Sequence, residues 1–380
     1  MSVATQPNVV QLVQENIQLP GTKRQKGLTR EQFDNLQRDF DALREEVMSD
    51  LGQKDVDYIR NIIRIQRFLE VAGRTMIHFS IEPITFMLGV TALSVSKIVD
   101  NMEVGHNVIH GQYDWANDPL IDSRRFEWDN VCDAQSWKRT HNFQHHTFTN
   151  VMGKDRDYGY GVLRLSDDLP WHPARSIQVV YFAVLSIFFQ WGVAFHEVEA
   201  ERLFNGTFKL SEKKSMLKAT YSKVGKQLFK DYIFFPALAG PFFWKVMLGN
   251  AMANVARNLW ASAVIFCGHF TDDAATFQES ECENETRGQW YYRQLLGSNN
   301  LSGGRLLHVM TGHLSYHIEH HLFPDMPANR YEQIAPRIKD ICKKYGLPYN
   351  EGPMLKLYGQ VLKRVVKYSF PTGKSAVALA

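Results

Sequence analysis

Blocks of apolar residues alternate with polar segments along this 380-residue chain, and their lengths predict membrane-crossing helices. Residues 176–195 form a run of 20 positions without a charged residue, which is long enough to cross the hydrocarbon core of a bilayer. Between residues 232 and 270, only Lys245 and Arg257 interrupt another apolar stretch. The uncharged block 83–96 has 14 residues and on its own is better explained as a buried core helix. Together the three blocks favour an integral membrane protein.

The polar segments predict the domain organisation. Residues 1–57 are expected to be a soluble lead-in of solvated helix, without the apolar core of a signal peptide. Residues 58–370 are expected to form one membrane domain, followed by a tail at 371–380. Four arginines within 58–81 leave both an interfacial helix and a full crossing open. Residues 197–231 are basic and are predicted to be an exposed amphipathic segment.

Composition excludes some functions without indicating a particular one. Lysine and arginine total 43 against 40 aspartate and glutamate, a net charge of +3, so nothing indicates a nucleic-acid partner. A mean hydropathy of −0.29 is typical of a soluble protein, but an average hides the apolar blocks. Four scattered cysteines without CxxC or CxxH spacing indicate neither a disulfide framework nor a cysteine-based zinc site.

The histidines are placed in a way that predicts chemistry. Eight of the 14 histidines fall into three short groups. Residues three or four apart on a helix share a face, so each group is expected to project its imidazoles in one direction. Neutral imidazole is the commonest metal ligand, so three such groups predict a metal site. The groups are H-x3-H at His106 and His110, H-x3-HH at His141, His145 and His146, and H-x2-HH at His317, His320 and His321.

The number of histidines narrows the choice of metal. A zinc ion takes four ligands, often including cysteine, and haem needs one or two axial histidines. Eight histidines therefore favour a dinuclear site, and two iron ions with positions left open for oxygen fit this count. Copper and manganese are not excluded by the residues alone. His313, one turn before the third group, is expected to extend the stripe of that group.

Convergence of the three groups constrains the topology. An even number of crossings must separate each group from the next if all lie on one side of the membrane. Two full crossings after the second group would place the basic segment 197–231 on the far side, against the positive-inside tendency. Alternatively, 197–231 stays cytoplasmic, 232–270 forms a tight hairpin, and 176–196 is only partly inserted. The sequence leaves both arrangements open.

The histidine groups and their flanking residues resemble the membrane fatty acid desaturase family. The stretch NMEVGHNVIHGQYDW around the first group and AVIFCGHFTD at the end of the last apolar stretch are similar to stearoyl-CoA desaturases of the mycobacterial type. HHTFTNVMGKDRDYGYG looks like the family segment after the second group, and it includes Thr149 and Asn150. HIEHHLFPDMPANRYEQIAPRIKDICKKYGLPY is similar to the third group and the following helix of acyl-CoA and front-end desaturases. The likeness covers roughly residues 50–370.

The resemblance implies an all-α integral membrane protein with about four transmembrane helices and a cytoplasmic helical cap that holds two iron ions. It adds His269 to the ligands, making nine with the histidines of the three groups. Asp155, Asp157 and Glu319 are expected to orient ligands rather than bind metal. The chain departs from some relatives, because its third group begins with histidine instead of glutamine. It departs from many, because three residues instead of two separate the first two histidines of its second group.

The remaining histidines have smaller roles in this interpretation. A structural relative holds an extra water ligand through an asparagine that has no match here. His313 is expected either to take that place or to hydrogen-bond behind the ligands. The other four, His78, His172, His196 and His308, are expected to be structural or surface residues.

The resemblance also implies a reaction. An oxidant formed from O2 and two electrons removes two hydrogens from an unactivated acyl chain, which gives a double bond and water. The acyl chain is carried as fatty acyl-CoA or as an acyl-lipid. No His-Pro-Gly-Gly haem signature is present, so electrons are expected to come from NAD(P)H through a separate ferredoxin or reductase, with the basic segment 209–230 as one docking surface. A lipid hydroxylase on the same scaffold and a non-catalytic metal-binding membrane protein are the alternatives. Chain length and the position of the double bond depend on the depth of the substrate channel.

Overall fold

A computed structural model describes residues 27–199 and 214–372, and this part of the chain is mostly helical. The longer helices are α1 (Arg30–Ser49), α2 (Gln53–Phe79), α3 (Pro83–Val99), α4 (Gln178–Ile187), α5 (Phe189–Glu197), α6 (Lys214–Phe229), α7 (Phe243–His269), α8 (Arg287–Leu296), α9 (His317–Leu322), α10 (Tyr331–Tyr345) and α11 (Met354–Lys367).

Shorter elements connect these helices. Segments of π-helix lie at Asp100–His106, Lys138–His145 and Lys230–Phe234. Short α-helical segments lie at Asn107–Ile109, Ala134–Trp137, His146–Phe148, Phe235–Ala237 and Arg305–Met310. Turns of 3-10 helix lie at Asp114–Ala116, Tyr158–Gly161, Pro173–Ile177, Gly240–Phe242, Glu279–Glu281, Leu314–Tyr316 and Ala328–Arg330. Strands β1 (Asn300–Ser302) and β2 (Glu351–Pro353) pair in parallel.

Helices α2, α3 and α7 pack side by side and form the apolar part of the molecule. Helix α3 begins where the Glu82 side chain accepts hydrogen bonds from two backbone amides of the first turn, just before Pro83. It continues through the π-helical segment to Ile109, and over this length it is apolar enough to cross a membrane. Its contact with α2 is close, because a Cβ on Gly73 would lie 2.7 Å from the Leu93 backbone nitrogen. The first histidine group therefore lies at the end of a candidate span.

The straight crossing expected over residues 176–196 is not formed. The chain bends by 96° between α4 and α5, so that the pair is either a broken span or a re-entrant loop. The Asn258 side chain holds this break, because its amide donates to the Ile187 carbonyl and its carbonyl accepts from the Gln190 backbone nitrogen. Among the described residues, at most two elements pass as membrane spans by length and composition.

The apolar stretch 232–270 is also divided. Its first part continues α6 through the segments Lys230–Phe234 and Phe235–Ala237. A turn that contains Gly240, which has a positive φ of 52°, then reverses the chain into α7. This hairpin resembles the alternative in which 197–231 stays on one side, although residues 200–213 of that segment lie outside the described residues.

Charged side chains inside the apolar part are paired with one another. Lys97 of α3 lies 3.0 Å from Asp231 and 3.1 Å from Asp129. Arg74 of α2 lies 3.4 Å from the same Asp231, and Arg257 of α7 donates to the Asp129 carbonyl. An unpaired charge here would be strongly unfavourable, so this network fixes how α2, α3 and α7 sit together.

Helix α1 belongs to the polar cap of the molecule and not to a separate solvated lead-in. A Thr29–Gln32 capping box starts it. Its buried face packs into the same apolar cluster as Tyr291 of α8 and Phe323 after α9. The residues on that face are Phe33, Leu36, Phe40, Leu43 and Val47. Residues 1–26 and 373–380, parts of the predicted lead-in and tail, lie outside the described residues.

Candidate metal centre

Nine histidines converge where the cap meets the ends of α3 and α7. His106 ends the π-helical segment that continues α3, and His110 follows one turn later. His269 is the last residue of α7. The other six lie in two further short helices: His141 and His145 in Lys138–His145, His146 directly after it, and His317, His320 and His321 in α9.

The second histidine group is not on an ordinary α-helix. A π-helix closes its hydrogen bonds between residues five apart, so positions four and five residues on both lie about one turn away. The rings of His145 and His146 accordingly lie 5.0 Å and 5.1 Å from the ring of His141. The third residue between His141 and His145, which many relatives lack, therefore suits the wider helix. Turns of π-helix are frequent at functional sites.

The nine rings divide into two neighbouring sets. Ligand nitrogens of four of them lie within 4.8 Å of one another, and three others form a second set within the same distance. The first set is His106, His110, His141 and His320, and the second is His145, His269 and His321. His317 joins the second set, because its Nε2 atom lies 2.8 Å from that of His269. His146 stands between the sets, with its ring 4.7 Å from His110 and 4.5 Å from His321.

Seven of the nine rings are held through Nδ1 by an acceptor oxygen. The distances lie between 2.9 and 3.3 Å. The acceptors are Asn107 for His106, Asp157 for His141, Asp155 for His145, the Gly297 and Leu314 carbonyls for His269 and His317, the Tyr331 hydroxyl for His320, and Gln294 for His321. An Nδ1–H that donates to oxygen leaves Nε2 with its lone pair, which is the tautomer that metal-binding histidines adopt.

The Nε2 atoms are left without protein partners that satisfy them. Those of His106, His110, His141 and His320 are buried and have no hydrogen-bond partner among the described residues. In the second set, three Nε2 atoms lie 2.8 to 3.2 Å from the Nε2 of His269. One proton can bridge only one such pair, so the remaining lone pairs face one another. A cation between the rings removes this repulsion, and the donor set therefore fits bound metal.

Burial keeps most of these rings neutral. It holds the pKa of His146, His320 and His321 well below the usual histidine range and lowers the pKa of His317 to about 3. At His145 burial acts in the same direction, but Asp155 outweighs it and raises the pKa. Since only the neutral imidazole binds a metal, the buried rings are ready for coordination at neutral pH.

Several residues that position the converging histidines carry no signal in the sequence. Gln294 of α8 accepts from His321 Nδ1 and donates to the His146 carbonyl, both at 3.0 Å, so it ties the second group to the third. Tyr331 accepts from His320 and donates to the Phe323 carbonyl. Neither lies within nine residues of its histidine on the chain, so only the fold brings them together.

Asp155, Asp157 and Glu319 were expected to orient ligands, and the structure places only the first two in contact with the converging histidines. Asp155 and Asp157 contact His145 and His141, as described above. Glu319 points away from the rings, because its carboxylate accepts from Asn300 at 2.8 Å and from the Tyr349 hydroxyl at 2.7 Å. It ties α9 to β1 and to the chain that precedes β2.

His313 does not extend the stripe of the third group. It adopts a left-handed conformation (φ 55°) in a turn that precedes α9, so helical spacing does not apply to it. Gly312 beside it also has a positive φ, and a Cβ there would lie 2.2 Å from the Met102 carbonyl oxygen. The His313 Nδ1 atom donates to Glu103 at 2.9 Å. It therefore belongs to a hydrogen-bonded pair behind the first group.

The other histidines have structural partners or face solvent. His78 contacts the carbonyls of Arg74 and Phe235, and His308 hydrogen-bonds to Ser315. His172 is exposed and caps the turn at Pro173–Ile177. His196 is buried 3.3 Å from Asp157, so it supports a residue that holds a ligand.

A mostly apolar cavity leads to the histidines. Its wall includes Met102, Phe189, Ala261, Ile265 and Leu314, and seven of the nine histidine rings also line it. The cavity therefore suits a flexible hydrocarbon that must reach the metal-binding atoms.

Comparisons with known proteins identify a family for this chain. The family model described as fatty acid desaturase matches residues 83–353. The chain is 43% identical over 348 residues to the "NADPH-dependent stearoyl-CoA 9-desaturase" of Mycobacterium tuberculosis, which covers 90% of this chain and 82% of the relative. It is 23% identical over 278 residues to the "sn-1 linoleoyl-lipid 6-desaturase" of Synechocystis, which covers 71% of this chain and 76% of that protein.

Proposed function

The chain belongs to the fatty acid desaturase family, and from this premise we propose that it introduces a double bond into a fatty acyl chain carried by coenzyme A. The observation that supports this most strongly is the set of buried Nε2 atoms at the inner end of an apolar cavity. A methylene chain has no polar group for the protein to act on. Its oxidation requires a metal oxidant that is held in a water-free site.

The ligands proposed are the nine converging histidines. His106, His110, His141 and His320 would hold one iron ion, and His145, His269, His317 and His321 the other. His146 would complete the site from its place between the two sets. When bound, the two ions supply the activation of O2 by two electrons that the removal of two hydrogens requires.

The protein's own residues position the histidine rings and keep water away from them. The acceptor oxygens at Nδ1 fix each ring's tautomer and direction, so that Nε2 faces the centre without further rearrangement. Trp137 stacks on His141 with ring centroids 4.2 Å apart and closes the cavity beside it. The apolar wall excludes water, so that the oxidant meets only the acyl chain.

The electrons are proposed to come from NAD(P)H through a separate redox protein. The printed name of the mycobacterial relative includes NADPH dependence, which supports this source for the present chain. The acyl-CoA substrate is supported by the same relative, whereas the cyanobacterial relative is named for a lipid-bound acyl chain. The two carriers are therefore to be compared directly.

The proposed setting is a membrane, with about four crossings and the metal centre on the cytoplasmic side. The metal-binding rings lie at the ends of α3 and α7, and the turn between α2 and α3 lies at the far end of this helix pair. Ile81 in that turn is fully exposed. In intact cells, cysteines introduced at Lys154 and Asp340 should be labelled only after the cytoplasm is made accessible. A cysteine introduced at Ile81 should be labelled without that step. Labelling of Lys154 and Asp340 from opposite sides would contradict the proposed cap.

The reaction is tested with the purified, iron-loaded protein. Stearoyl-CoA, NADPH and a ferredoxin–reductase pair are supplied, and the acyl products are analysed by mass spectrometry. A monounsaturated acyl chain is the expected product. A hydroxylated chain would identify a hydroxylase on the same scaffold, and an iron-loaded protein without any product would identify a metal-binding protein. The same assay with a stearoyl phospholipid decides between the two acyl carriers.

A further inference from the structure

The last helix, α11, exposes a stripe of large apolar side chains. Leu355, Leu362 and Val366 are 88%, 42% and 49% exposed. At 3.6 residues per turn, these three positions lie within about 40° of one another around the helix. Phe370, just beyond the helix, is 58% exposed and continues the line. These four residues form the apolar stripe.

Three lysines form a second exposed line on the same helix. Lys356, Lys363 and Lys367 are all exposed. They lie about 100° around the helix from the apolar stripe, because each follows one of its residues directly in sequence. We refer to them as the lysine stripe. Apolar side chains beside a row of lysines are typical of helices that lie in the plane of a membrane surface.

The third face of α11 is fixed to the protein. Leu357, Val361 and Val365 are buried in the apolar cluster that also contains Phe182 of α4. Gln178 donates to the Val365 carbonyl at 2.7 Å. Arg364 donates to backbone carbonyls before α4 and after α7, at 2.6 Å each. These contacts hold the helix in its orientation, so the apolar stripe faces outward in the folded protein.

The apolar stripe continues a neighbouring apolar surface. Helix α4 packs beside α11, and its outer side chains Val179, Val180 and Val184 are 45%, 57% and 53% exposed. Helix α4 is the first half of the bent candidate span. A surface shared by a candidate span and α11 belongs at the edge of the bilayer.

We propose that α11 lies in the membrane–water interface, with the apolar stripe among the lipid chains and the lysine stripe at anionic headgroups. Charge complementarity supports this occupant, since lysines near an anionic surface are attracted to it while their stems stay along the apolar layer. This inference places the last helix of the predicted membrane domain on lipid. It concerns the position of the chain in the membrane and does not depend on the reaction.

The position also has a consequence for the metal centre. Helix α11 packs directly on α7, and α7 ends at the ligand His269. An α11 held at the interface therefore sets the depth of the metal centre relative to the lipid, from which the apolar substrate chain must come.

The test measures the surroundings of single nitroxide labels on the full-length protein in lipid nanodiscs. Labels are attached to Leu362→Cys and Leu355→Cys, and to Glu45→Cys on the polar face of α1 as a control. The partly buried Cys282 is replaced by serine, and the other three cysteines are buried. Collision with apolar O2 is compared with collision with a water-soluble nickel complex. We expect the two α11 labels to favour O2 and the control label to favour nickel.

Lipid composition tests the lysine stripe. The O2 preference at Leu362→Cys should rise as phosphatidylglycerol replaces phosphatidylcholine, and it should not rise when Lys356, Lys363 and Lys367 are changed to glutamine. Equal nickel access at all three labels would overturn the proposal. So would shielding of the α11 labels from both reagents in detergent as well as in nanodiscs, because a protein segment or a second copy would then cover the apolar stripe. Insensitivity of the parent to anionic lipid would overturn the assignment of the lysines.

Discussion

Replacing Gln294 with leucine tests how the metal site is held without touching a proposed ligand. Gln294 makes two hydrogen bonds of 3.0 Å, one from His321 Nδ1 and one to the His146 carbonyl. Leucine keeps a similar volume in this fully buried position but makes neither bond. His321 then loses the acceptor that fixes its tautomer, although Thr149 lies 3.2 Å away as a weaker alternative.

The expected loss follows from the two bonds. Each buried hydrogen bond contributes about 1 kcal/mol net, so the pair contributes about 2 kcal/mol. At 1.4 kcal/mol per factor of ten, this corresponds to about 30-fold in iron affinity, inside the 10–100-fold range that is usual for residues that hold ligands. Gln294→Glu keeps the acceptor for His321 and should lose less than Gln294→Leu.

The assay follows the transfer of iron from the purified protein to a chelator, with thermal unfolding measured alongside. Gln178→Leu is the matched control, because Gln178 is also fully buried and hydrogen-bonded to backbone groups, but it contacts no histidine. Both variants should lose thermal stability, and only Gln294→Leu should lose iron affinity. Equal iron retention by both variants would show that Gln294 does not hold the site.

Three further predictions concern the surrounding structure. Gly268→Ala should lower the bound iron, because its Cβ would lie 2.6 Å from the His317 ring; iron content like that of the parent would show that the ring has room to move. Deleting residues 30–50 should unfold the cap and release iron, since α1 supplies part of its apolar core, whereas deleting only the segment before it should not; a stable, iron-loaded α1 deletion would refute this packing. Asp55→Asn should lower stability at pH 7 by about 2 kcal/mol, because it weakens the charged hydrogen bonds that Asp55 accepts from Arg330. Burial raises the Asp55 pKa, but the hydrogen bonds from Arg330, Asn329 and the Gly52 backbone, together with the charge of Arg330, outweigh it and hold the pKa below its usual range. This contribution is present above the unfolded pKa of about 3.9 and is lost as pH falls through the lower folded value, so the melting temperatures of parent and variant should converge in acid; a constant difference would contradict the assignment.

The spacing of the histidines predicted the three groups, because ligand chemistry fixes residue types at fixed spacing. The resemblance to desaturases predicted the family, which the comparisons show, and it singled out His269, whose ring lies beside those of the groups. It also predicted that Asp155 and Asp157 approach the rings, as their hydrogen bonds show. The prediction that His313 shares a helical face with the third group was wrong. Gly312 and His313 both adopt positive φ in a turn before α9, and spacing alone does not reveal this turn. Glu319 sits between two histidines in sequence, but on a helix its side chain points to the opposite face.

The membrane helices were less predictable than the site. An uncharged run of 20 residues satisfied the length of a crossing, yet the chain bends at its middle because Asn258 from a distant helix binds the backbone there. The segment that forms α1 was predicted to be solvated, because only every third or fourth residue in it is apolar. That same periodicity is what packs α1 onto the cap. Contacts between segments far apart in sequence decided both cases.

The most direct test compares iron and product in the parent, His320→Ala and His308→Ala. Both histidines are buried, but only His320 has its Nε2 atom among the converging rings, while His308 is bound to Ser315. The parent and His308→Ala should hold about two irons per chain, as two sets of rings allow, and both should form an unsaturated acyl product. His320→Ala should hold less iron and form no product. A fully active His320→Ala with the iron content of the parent would remove the third histidine group from the site and contradict the proposed centre.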